Sequence, residues 1–306
     1  MTLTLRGSID LPPHAAGGFD HGDVHLVSGR VLVAHTANDT VDVLDGPNLG
    51  YAGSIQGCPE GSGVLCTQED EGALVFAAAR GAGKILMLDA ASCELRREIA
   101  VGPKPNGLAW DPRRRQLLVA DVEDFDARLV GPATGDTLAR SELPGRPRWC
   151  VFDADRDRFL INVREPACVV ALAAGSLAAL ARTYVSAAGP HGLDLDHARG
   201  RAFVACDAGR VVVLDLETGR ELGQVPIAGE PDVVWYSAAH DRLYVAIGQP
   251  GVVDVLDCRT LTLADRVATE PGAHTSAYDP KRNRLFVFMP GSCRAGIFAE
   301  EERVRP

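Results

Sequence analysis

Short apolar runs recur along this chain at a nearly constant interval. Leu117-Leu118-Val119-Ala120, Phe159-Leu160-Ile161, Ala202-Phe203-Val204-Ala205, Leu243-Tyr244-Val245-Ala246 and Leu285-Phe286-Val287-Phe288 are the clearest. Runs of this length, bounded by turn residues, read as buried strands. Twelve positions before Leu118, Leu160, Phe203, Tyr244 and Phe286 stand Asn106, Arg148, His191, Asp232 and His274. Each of these polar residues follows a turn with Gly or Pro and opens a strand, most fully in Gly189-Pro190-His191-Gly192-Leu193-Asp194-Leu195-Asp196. Weaker copies stand at Asp20-His21-Gly22 and Gly61-Ser62-Gly63. Polar turns such as Asp111-Pro112-Arg113-Arg114 separate the two strands and make them a hairpin. A third run ends in Asp, as in Val43-Leu44-Asp45, Met87-Leu88-Asp89, Val213-Leu214-Asp215 and Val255-Leu256-Asp257, and a more charged fourth strand follows.

The post-turn residue falls at 21, 62, 106, 148, 191, 232 and 274. A four-stranded unit with a period near 40 residues is the signature of a β-propeller, one blade per repeat. The chain is therefore expected to be all-β, a seven-bladed β-propeller occupying residues 1–306 as a single domain. The last repeat supplies strands at Arg284 to Met289 and Arg294 to Phe298, then runs into Glu300-Glu301-Glu302 without a fourth strand. The N-terminal strand, residues 2–10, is expected to fill that place and remove an open edge. In blade four, Val169 to Ala181 is Ala-rich and reads either as a short helix or, by its place in the period, as outer strand.

Composition narrows the function classes. The net charge of −10 and a pI near 5.3 argue against nucleic acid or an anionic membrane as partner. Neither a signal-peptide pattern nor an apolar segment of bilayer length is present, which predicts a cytoplasmic protein. The eight cysteines are scattered without a C-x-x-C pair and are expected to be reduced and mostly buried, Cys206 standing at the end of an inner strand.

The phrase Lys104-Pro105-Asn106-Gly107-Leu108-Ala109-Trp110-Asp111, the run Leu117 to Asp121 and Val211-Val212-Val213-Leu214-Asp215-Leu216-Glu217-Thr218-Gly219-Arg220 resemble YVTN-type propeller repeats. That group is similar in architecture to lactonase-type seven-bladed propellers and streptogramin lyase. The signature Tyr-Val itself is present once, at Tyr244-Val245. The resemblance implies fold more than activity, because propellers host enzymes, binding proteins and scaffolds.

In a propeller the first strands line the central channel, so the seven post-turn residues form a ring at its mouth: His21, Ser62, Asn106, Arg148, His191, Asp232 and His274. His191, Asp232, His274 and His21 become contiguous on closure, and three imidazoles with a carboxylate suit a divalent metal such as Zn, Fe, Mn or Cu. His25 or His35 stand as substitutes for His21. Arg148 is expected to anchor a small anionic substrate, with Asn106 and Ser62 beside it. His191, His274, Arg148 and Glu60 are the candidate catalytic groups. The expected function is metal-dependent lactone hydrolysis or C–O lyase chemistry on a small anion, the alternative being a non-enzymatic scaffold for protein–protein interaction. His14, His197 and His240 fall in a linker and in hairpin turns and are expected at the surface.

Overall fold

The computed structural model describes residues 2–301, so Glu302 of the acidic run lies outside the described residues. Twenty-eight strands form seven four-stranded antiparallel sheets, each a blade. The first strands of blades one to seven are Gly22–His25, Gly61–Cys66, Pro105–Asp111, Pro147–Asp153, Pro190–Asp196, Pro231–Ser237 and Thr275–Asp279. In blade seven the fourth strand is Thr2–Asp10, which pairs antiparallel with Arg294–Glu301 from Thr2↔Glu301 to Asp10↔Arg294. Leu3 and Ile9 of this closing strand are buried, in the cores that blade seven shares with blades six and one respectively. The molecule is thus a seven-bladed β-propeller closed by its N-terminal strand.

The core is divided among the blade interfaces. Seven clusters of buried apolar residues occur, and each draws on two neighbouring blades. The apolar runs noted above supply them because both faces of a second strand meet a neighbour, whereas outer strands such as Ala179–Tyr184 stay mostly exposed. The Ala-rich stretch of blade four is not helical. It divides between a third strand, Cys168–Ala173, and the start of this outer strand, because cross-strand pairing outweighs the intrinsic helix preference of alanine. The terminal acidic run is strand as far as Glu301, and Glu300 is buried with Tyr244 Oη 3.4 Å from its carboxylate.

The recurring aspartates are turn devices. Asp111, Asp196 and Asp279 end first strands, and each accepts hydrogen bonds from backbone N–H groups two or three residues on. Asp45, Asp89, Asp215 and Asp257 do the same after third strands. The glycine of the repeated phrase has a different task. A Cβ on Gly63, Gly107 or Gly192 would stand 2.2, 2.3 or 2.4 Å from the carbonyl oxygen of Asn106, Arg148 or Asp232, the ring residue of the next blade. Only glycine lets adjacent first strands approach this closely around the channel.

Candidate site at the channel mouth

Six of the seven ring residues line a cavity of about 480 Å³ at the start of the first strands: His21, Asn106, Arg148, His191, Asp232 and His274. Ser62 is not among them; it is fully buried and its hydroxyl donates to Pro105 O at 2.9 Å, joining blades two and three. Asp20, Glu230 and Gln249 complete the polar wall.

Asp232 is the centre. Its carboxylate lies 2.9 Å from His191 Nε2, 3.6 Å from His274 Nε2 and 4.0 Å from His21 Nε2. Burial opposes its charge, yet the three imidazoles together hold the carboxyl well below the usual range. His191 also meets Asp207 through Nδ1 at 2.8 Å, and Arg164 Nε is 2.7 Å from the other Asp207 oxygen. Burial disfavours the charged ring, but Asp232 and Asp207 outweigh it and push His191 up to about 9. Asn162, on the second strand of blade four, donates to the carbonyls of His191 and Gly192 at 2.9 Å and fixes this turn.

The remaining ring histidines are held by fewer partners. His274 Nδ1 is 2.8 Å from Gly272 O, and a carbonyl only accepts, so Nδ1 carries the hydrogen. Nε2, 3.6 Å from Asp232, is the nitrogen that His274 turns toward the cavity. His21 is buried, its Nδ1 has no partner, and its ring packs on Trp149 with centroids 4.3 Å apart. The ligand atoms of Asp20, His21 and Asp232 lie within 4.8 Å of one another, a mixed nitrogen and oxygen set suited to a borderline divalent ion. That group holds two of the four expected ligands, adds Asp20, and leaves His191 tied into its two carboxylates.

Arg148 lines the opposite wall. Burial and the neighbouring Arg146 lower its pKa, and Nε is buried without a hydrogen-bond partner. Asn106 Oδ1 accepts from Arg80 at 3.3 Å, and Arg80 is 3.7 Å from Asp20. Glu60 does not reach this cavity. It is exposed, paired with Lys104 at 2.8 Å, and lines a separate depression with Arg80, Lys104 and Arg146. Lys104 holds its carboxyl below the usual range, so Glu60 is a poor proton donor at neutral pH.

The substitutes for His21 lie elsewhere. His25 ends the first strand, bonded to Ser28 at 2.8 Å, and His35 is buried between Asp42 and His14, each at 2.7 Å. His14 is therefore half-buried against His35 rather than free at the surface, because the linker folds back onto blade one. His197 is exposed beside Asp155 at 3.2 Å, and His240 is half-buried 3.1 Å from Asn283. Cys206 is buried and burial pushes its thiol up to about 12, which leaves it inert.

No family model matches the chain, and no curated protein matches it. Among solved structures, a chain of the crystal structure of the mitotic checkpoint complex is similar, with a TM-score of 0.83 and 12 % identity. The match covers 98 % of this chain and 92 % of that one. It shows the propeller fold and carries no YVTN or lactonase membership. Among the described residues no helix is long and apolar enough to cross a membrane.

Proposed function

We propose that this propeller binds a small carboxylate-bearing molecule at the channel mouth, against a divalent metal ion held by His21, Asp20, Asp232 and His274. The observation that carries the reading is Asp232, a buried carboxylate within 4.0 Å of three imidazoles from three different blades. A bound divalent ion supplies Lewis acidity toward a carbonyl or ether oxygen. Arg148, with its partnerless Nε, receives the carboxylate of the ligand as a planar fork. His191, held between Asp207 and Asp232, adds a fixed positive charge to the cavity wall that steadies an anionic oxygen of the ligand. Lactone opening or C–O elimination is the reaction class these roles serve. Eight free thiols fit a reducing, cytoplasmic compartment.

A second reading is a scaffold that recognises another protein through its faces. It is favoured by the likeness to a chain from a multiprotein checkpoint assembly. Metal titration separates the two. With Mn²⁺ or Zn²⁺ at about 100 times its Kd, a site-bound ion adds about 3 kcal/mol and raises the Tm by several degrees. Asp232→Asn should abolish that rise while the apo-protein stays folded. Equal responses of wild type and variant would leave the scaffold in front.

A further inference from the structure

The opposite end of the channel has different chemistry. A cavity of about 600 Å³ opens where the first strands run out toward their hairpin turns. Trp110, Trp149 and Trp235, all the tryptophans of the chain, line it. Trp149 also packs on His21, so it stands between this cavity and the channel mouth. Two carboxylates, Asp23 of blade one and Asp194 of blade five, belong to the same wall. Asp23 accepts from the N–H groups of Val24 at 2.7 Å and Cys66 at 2.8 Å. Asp194 accepts from Leu195 at 2.8 Å and Tyr236 at 2.6 Å. In each pair the second donor is on the next blade, so both residues staple blades together. Stapling uses one lone pair on each oxygen, and a carboxylate has about four acceptor sites.

Glu69 adds a third acid: Oε1 accepts from Trp110 Nε1 at 2.9 Å, and Oε2 is buried without a partner. Among the described residues that line the cavity there is no Lys, Arg or His. Arg115, just outside the lining, pairs with Glu69 and stands over Trp110. Among the described residues, however, Asp23 and Asp194 have no ion-pair partner, and carboxylates on an aromatic wall without one suit a cation. A compact metal is a poor match, since among the described residues no three ligand atoms within 4.8 Å of one another occur here.

We propose that this cavity binds a small organic ammonium ion, its apolar body against the tryptophan faces and its charge toward Asp23 and Asp194. Burial pushes Asp23 up to about 7, with Asp194 adding repulsion, and pushes Asp194 up to about 6; a bound cation relieves both. The inference is independent of the channel-mouth reading.

The test is a charge series on the wild-type protein in chelator, followed by tryptophan fluorescence, because every tryptophan faces this cavity. Benzyltrimethylammonium should quench saturably, benzyl alcohol should bind at least about tenfold more weakly, and benzoate should not displace the cation. Asp194→Asn and Trp110→Leu should each weaken the cation about tenfold. Equal affinity for the alcohol, or no saturable quenching by the cation, overturns the proposal without any variant having to fold. An N-acetyl trimethyl-lysine amide distinguishes the source of the ammonium group. If it binds more tightly than the free quaternary amine, the assignment to a small molecule is overturned in favour of a peptide.

Discussion

At the scale of single residues, His191 has the most testable chemistry. Its two nitrogens meet Asp207 and Asp232, and its pKa is raised from 6.5 to about 9. A raised folded-state pKa contributes stability that is fully present below about 6.5 and is lost as pH rises through about 9. Relative to His191→Gln, the metal-free wild type should therefore lose on the order of 3 kcal/mol between pH 6 and 9.5, read by urea denaturation. A flat difference would show that the ring is neutral. The ring position of His191 was legible in sequence, since His21, Asp232 and His274 share it. What was not legible is the company it keeps. Asp207 belongs to the end of the second strand and Asp20 precedes a ring residue, so each reaches the site only through the way the turns fold. Glu60 shows the converse error: two residues from Ser62, it is captured by Lys104, a cation whose approach no spacing announces.

At the scale of the strand, the repeated phrase carries the geometry of the site. Gly192 was visible as part of a turn signal, but its reason is contact with blade six. A Cβ there would lie 2.4 Å from Asp232 O and 3.0 Å from Val234 Cγ1, and the backbone carbonyl cannot rotate away. Gly192→Ala is expected to cost about 1–3 kcal/mol and to displace Asp232, so any metal-induced rise in Tm should shrink with it. Gly50→Ala, where a Cβ meets nothing within 4 Å, is the control and should be close to neutral. Similar losses at both positions would refute the close-approach argument. Strand order and pairing were readable because the apolar runs and the polar turns between them are set within each blade. Blade four's Ala-rich stretch was ambiguous because alanine gives little periodic contrast, and only pairing with its neighbours decides it.

At the scale of the whole molecule, closure is the property that a repeat count alone predicts. Deleting residues 2–10 would leave Arg294–Glu301 as a bare edge and remove Leu3 and Ile9 from their cores. The truncated chain should melt far below the full-length protein or aggregate, as scanning calorimetry and light scattering would show. Matching melting curves would mean that the joint contributes nothing to stability. The same joint has a consequence for how the protein is made. Asp10 pairs with Arg294, and Thr2 with Glu301, so the closing strand leaves the ribosome well before its partner and waits for it. At 5–20 residues per second the roughly 280 intervening residues take on the order of 15 to 60 s to appear. Throughout that interval the nascent ring carries its locking strand unmated, and any factor that guards it during translation has that segment to hold.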